Sequence, residues 1–174
     1  MKTTLRWYSF VALAVTLAMS AVAAESAPRA ATTDRVGLYD TRALAYAHFW
    51  SANETRIREA TVAEGMAAKA AGDTEQVRVL GARIAAAQER SHRQVFGTAP
   101  ADEAMAALKE KLPAIQRELG VTRLVSKWDE SALRDVPLSH RVDVTDRLVQ
   151  EFGLEPKRQK TLEELKKAKP SKTS

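Results

Sequence analysis

Two short strand-like segments set the strongest constraint on this chain, because they lie far apart. The first is Arg35-Val36-Gly37-Leu38-Tyr39-Asp40, and the second, Leu124 to Lys127, sits inside Gly120-Val121-Thr122-Arg123-Leu124-Val125-Ser126-Lys127-Trp128-Asp129. The stretch 41–119 between them is rich in alanine and charge and reads as helix. Isolated strand pairs are marginal in water. The two segments are therefore expected to join one small sheet across the helical insertion. The predicted fold is α+β and predominantly α, a small β head interrupted by a long antiparallel helical hairpin.

Local signals divide the insertion. Asp40 can cap a helix from Thr41 to Ala71, about 45 Å long at 1.5 Å per residue, with Gly65 as its weak point. Gly72 supplies a left-handed stop, and Asp73 with Gln76 has capping-box spacing for a second helix. Val77, Leu80, Ile84, Ala87 and Ser91 then follow coiled-coil spacing, three and four residues apart. Phe96-Gly97-Thr98-Ala99-Pro100 interrupts the return, with Thr98 as cap and Pro100 in the next first turn. Met105, Leu108, Leu112, Ile115 and Leu119 resume the spacing, and Pro113 should kink this segment near Lys109 or restart it. Gly120 closes it. A third strand is expected around Ser131 to Val136. Asp143 or Thr145 should cap a closing helix carrying Val144, Leu148 and Phe152 and ending at Gly153. A short helix around Thr161 to Ala168 is expected in the Lys-rich tail.

The chain's beginning reads as a secretory signal. Lys2 and Arg6 precede an apolar run from Phe10 to Val22, and Ala21-Val22-Ala23 offers small residues for cleavage. The run is short for a membrane span. The sequence has no cysteine, which excludes a disulfide framework and a lipid-attachment cysteine. With Lys2 and Arg6 removed, the net charge falls from +5 to about +3, weak support for nucleic-acid binding. Much of the hydrophobic content is alanine, which buries little area. A partner chain is therefore expected to add burial. The expected divisions are a signal peptide at 1–24, a disordered lead at 25–34, a domain at 35–153 (strand 35–39, helical arm 41–119, strands and closing helix 121–153) and a basic tail at 154–174.

The chemistry-bearing residues do not converge on catalysis. His48, His92 and His140 lack metal-ligand spacing to one another. Ser91 and His92 are adjacent on a helix and so point about 100° apart, a poor arrangement for nucleophile and base. Phosphate-loop and dinucleotide fingerprints are absent. No catalytic, cofactor or metal residue is expected, and the chain reads as a non-enzyme. Tyr46, Phe49 and Trp50 cluster where the first long helix begins; they are candidates for packing head against arm or for contact with a partner or client. Trp128 is a candidate anchor of the head core or of a seam between copies.

The order of strand, helical hairpin, strand pair and closing helix resembles the Skp/OmpH family of periplasmic chaperones. Val36-Gly37-Leu38-Tyr39-Asp40-Thr41-Arg42-Ala43-Leu44, Leu119-Gly120-Val121-Thr122-Arg123-Leu124-Val125 and Val142-Asp143-Val144-Thr145-Asp146-Arg147-Leu148-Val149 carry the resemblance, which covers about 35–152. The arm looks short and is broken at Phe96 to Pro100, and its tip mixes Lys69 and Arg78 with Asp73 and Glu75 instead of being basic. The resemblance implies a homotrimer joined at the heads, whose arms hold unfolded outer-membrane proteins without ATP in the periplasm. The alternative is a non-chaperone envelope scaffold on the same fold, whose basic tail contacts an anionic membrane surface.

Overall fold

The computed structural model describes residues 34–171. These fall within the second of two units into which the chain divides, Thr33–Ser174. The expected signal peptide, and all of the lead before Asp34, lie outside the described residues.

Strand β1 (Val36–Tyr39) is the centre of a three-stranded sheet, flanked by β2 (Arg123–Ser126) and β3 (Arg141–Asp143). Both pairings are parallel. Gly37 lies opposite Leu124 on one side and Val142 on the other. The expected pairing of the segments near Val36 and Leu124 is therefore present. Side chains alternate across the strands. Val36 and Val125 meet Leu133 and Val136 on one face, while Tyr39, Leu124 and Val142 pack toward the larger core on the other.

That larger core is organised by helix α1 (Thr41–Phe49), in which every residue from Thr41 to Ala47 is buried. Ala43, Leu44 and Ala47 are inaccessible, and around them pack Val95, Leu108, Ile115, Leu148, Leu154 and Leu162. Alanine adds little area of its own. Its small side chain lets neighbouring elements approach closely, so larger residues on those neighbours are buried. Among the described residues, no helix is long and apolar enough to cross a membrane.

Several boundaries depart from expectation. The helix predicted over 41–71 is two helices, α1 and α2 (Ala52–Ala70). The break is at Trp50 and Ser51, where the Ser51 hydroxyl accepts a bond from the Glu54 N–H at 3.3 Å. Ser51-Ala52-Asn53-Glu54 is itself a capping-box pattern, and it overrides the helix-forming composition around it. Asp73 caps α3 (Thr74–Phe96) as expected, its carboxylate accepting from the Gln76 N–H.

Thr98 does not cap the next helix. Helix α4 (Asp102–Leu108) follows Ala101 without a side-chain cap, and Pro100 precedes it. Proline disfavours helical geometry at Ala99, while Asp102 and Glu103 put negative charge in the later start. Pro113 restarts the helix as α5 (Leu112–Leu119), and Gly120 ends it at a positive φ. The third strand expected at 131–136 is instead a short helix, α6 (Glu130–Leu133), capped by Asp129; β3 comes later. In the closing helix α7 (Thr145–Gln150), the Asp143 carboxylate accepts from the Thr145 N–H at 2.8 Å. The tail helix, α8 (Pro156–Lys167), is longer than expected and buries Leu162 against the α1 core.

Two glycines make contrasting predictions. A Cβ on Gly37 would stand 2.7 Å from Leu124 Cδ2 and 3.2 Å from both methyls of Val144, between β2 and the start of α7. At Gly72, where φ is +73°, nothing lies within 4 Å. Gly37→Val should cost about 1–3 kcal/mol in urea unfolding through overpacking of the sheet. Gly72→Val should cost about 1–2 kcal/mol through backbone strain, with faster hydrogen exchange confined to 70–76. A Gly37→Val chain as stable as the parent would contradict the packing described.

Candidate functional site

Helix α2 spans 19 residues and buries none of them. Its Ile57, Val62 and Met66 are 41%, 45% and 68% exposed. Past Gly72, α3 packs on α2. Gln76 donates to the Glu64 carboxylate at 2.9 Å, and Gly65 faces Leu80, whose Cδ1 would be 3.9 Å from an added Cβ. The α3 residues Leu80, Ile84, Ala87 and Ser91 are among its buried or half-buried positions, matching the expected stripe, whereas Val77 is exposed. Between the helices runs a groove of about 820 Å³. Ile57, Val62, Met66, Ile84 and Ala87 line it, with Glu54, Glu59, Arg83 and Arg90 among its charged residues.

Phe49 and Trp50 also line this groove, at the end nearest the α1–α2 break. Their rings meet edge to face at a centroid distance of 5.0 Å. The Arg58 guanidinium lies 4.0 Å from the Phe49 centroid and donates to the Phe49 carbonyl. The Arg158 guanidinium of α8 lies 3.2 Å from the Trp50 centroid. Such cation–π contacts are worth about 0.5–2 kcal/mol and here tie α8 to the α1–α2 break. Tyr46, with its ring 6.4 Å from Trp50, is a core residue, and its buried hydroxyl has no hydrogen-bond partner among the described residues. The sequence cluster thus divides between core packing at Tyr46 and groove lining at Phe49 and Trp50.

Trp128 is placed elsewhere, beside a buried charge cluster at the carboxyl ends of β1 and β2. Asp40 and Arg42 are each 1% exposed. Asp40 Oδ1 accepts from the Arg42 backbone N–H at 2.9 Å, Arg42 Nε at 3.2 Å and Trp128 Nε1 at 3.2 Å. Its Oδ2 accepts from Arg42 Nη2 at 3.0 Å and faces Lys127 Nζ at 2.6 Å. Arg42 Nη1 continues to the Ala168 carbonyl just past α8. Burial alone would raise the Asp40 pKa; hydrogen bonds from Arg42, Lys127 and Trp128 outweigh it and lower the pKa to about 2.

Among the described residues, no group of His, Asp and Glu side chains could hold a metal ion. His48 stands 3.7 Å from Glu54 and edge-on to Phe152, and His92 packs on Phe96. Burial lowers the His48 pKa. Sequence reasoning missed Ile57, Val62 and Met66 because their spacing follows no single helical period. It also took Asp40 for a cap alone; the Asp40-Thr41-Arg42 order holds no signal that Lys127 and Trp128 would reach the same carboxylate. No family model matches the chain, and neither does any curated protein or solved structure.

The depressed Asp40 pKa predicts a pH dependence. Because the folded value lies below the ordinary 3.8, the stabilisation is fully present above about pH 4 and is lost as pH falls toward 2. The shift corresponds to about 2 kcal/mol. Urea unfolding between pH 5 and 2 should show this loss, and Asp40→Asn should remove this component of the dependence along with much of the pH 7 stability. An identical acid profile in parent and variant would refute the role given to Asp40.

Proposed function

We propose that this protein is an ATP-independent holdase that binds unfolded outer-membrane proteins in the periplasm. The observation that carries the reading is α2, a 19-residue helix that buries none of its residues while lining a groove with apolar side chains. Unfolded barrel strands alternate apolar and polar residues. An extended segment of that kind can place its apolar side chains against Ile57, Val62 and Met66 and its polar ones toward the charged margins. Each contact is weak, and many along the groove retain a client without a nucleotide-driven cycle.

In this proposal α2 and α3 are the antiparallel arm, and three copies join at the sheet. Strands β2 and β3 are the edges of the three-stranded sheet, and such edges are available for pairing with other copies. A trimer would bring three grooves around one client. The scaffold reading draws on a different surface. Lys157, Lys160, Lys167 and Lys169 are exposed on and just after α8, a basic surface for an anionic membrane or envelope component.

The test is suppression of aggregation when a urea-denatured outer-membrane barrel protein is diluted into buffer, with light scattering giving the mass of the complex. The parent should suppress aggregation at stoichiometric amounts. Ile57→Asp with Val62→Asp should change folding stability by less than about 1 kcal/mol, both sites being exposed, and should abolish suppression. A folded parent that leaves the barrel protein to aggregate would exclude the holdase and favour the scaffold.

A further inference from the structure

Away from the arm groove, a second cavity of about 550 Å³ opens beside the carboxyl ends of β1 and β2. Three separate stretches of chain build it. Tyr39 and Thr41 come from the end of β1 and the start of α1, Thr98 from the α3–α4 connection, and Ser126, Trp128 and Asp129 from the end of β2 and the loop after it. Each stretch contributes at least one hydroxyl-bearing residue. Thr41 is 2% exposed and its hydroxyl is closed off from solvent, so the hydroxyl-bearing residues within reach of a ligand are Tyr39, Thr98 and Ser126.

The charges nearby restrict the ligand. Arg42 and Lys127 are both engaged by the Asp40 carboxylate. On the wall, Asp129 uses Oδ1 for its bonds from the Ser131 hydroxyl and the Ala132 N–H. Burial raises the Tyr39 pKa, and the negative charges of Asp102 and Asp129 raise it further, so the phenol stays neutral. Negative wall charge and committed cations disfavour an anion. Hydroxyls that both donate and accept, one carboxylate and an indole suit a compact ligand with many hydroxyls and no charge. A cavity of this volume lies within the range of small-ligand sites.

We propose that this cavity is a binding site for a neutral sugar unit, independent of the arm groove and of the holdase reading. Tyr39, Thr98 and Ser126 exchange hydrogen bonds with the sugar hydroxyls. Asp129 accepts from one of them, and Trp128 supplies apolar surface to the carbon skeleton. The site occupies the position where sheets with parallel strands commonly hold ligands, at the strands' carboxyl ends.

The test is a titration of the full chain with methyl glucoside, glucosamine and glucose 6-phosphate, followed by tryptophan fluorescence and by the Trp128 indole N–H resonance. Methyl glucoside should shift both signals and saturate at millimolar concentration. Glucose 6-phosphate should bind more weakly by roughly tenfold, from repulsion at the acidic wall. Thr98→Val, at an exposed site away from the core, should weaken methyl glucoside binding by roughly fivefold with an unchanged circular dichroism spectrum. Ser126→Ala provides a second variant on another wall, with the same direction of effect expected. No movement of the Trp128 resonance at saturating methyl glucoside would overturn the site. Tighter binding of glucose 6-phosphate or glucosamine than of methyl glucoside would overturn the neutral-sugar assignment.

Discussion

The Asp40 carboxylate is the point through which the distant parts of the head are joined. It caps α1, pairs with Arg42 and Lys127, and accepts from the Trp128 indole. The same residue's backbone N–H donates to the Thr145 hydroxyl at 3.0 Å, 105 positions away. Through Arg42 the connection reaches the Ala168 carbonyl. Buried ion pairs contribute little net stability compared with well-packed apolar groups, but losing one partner leaves an uncompensated charge. The cluster therefore acts chiefly to fix which segments meet: the ends of β1 and β2, the start of α7 and the end of α8. Those segments lie on both sides of the helical insertion, so their agreement fixes the base from which α2 and α3 depart.

Packing around α1 complements this charge cluster. The chain's alanine content suggests a weak core when counted as area, yet Ala43 and Ala47 are fully buried at the centre. Their small volume lets Leu108, Ile115, Leu148 and Leu162, from four different helices, converge on one short helix. Helix α2 is the opposite case, with no buried residue along its length. The contrast is one of packing: the residues around α1 close on themselves, and α2 leaves Ile57, Val62 and Met66 exposed.

Much of this plan was legible in the sequence. The pairing of Val36 to Tyr39 with the segment at Leu124 followed from their isolation on either side of helix, and Gly72, Gly120 and Gly153 mark chain reversals or helix ends with positive φ. The Leu80, Ile84 and Ala87 stripe was readable because one face packs against a neighbour. The break at Ser51 was masked by strong helix formers on both sides, although its capping box was present. The third strand was misplaced because Arg141–Asp143 is three residues long and gains its strand identity from pairing with β1. Of the candidate residues, Phe49 and Trp50 line the groove while Trp128 belongs to the head. Tertiary contacts made that separation, and no local pattern encodes it.

The most direct test of the account is hydrogen–deuterium exchange on the full chain, alone and with an equimolar unfolded outer-membrane barrel protein. Slow exchange in β1 and α1 of the free chain, unchanged on adding the client, together with new protection along 52–70 and the facing part of α3, is the predicted result. Protection confined to the head, or a client that leaves α2 exchanging as fast as before, would contradict the assignment of the α2–α3 groove as the holding surface.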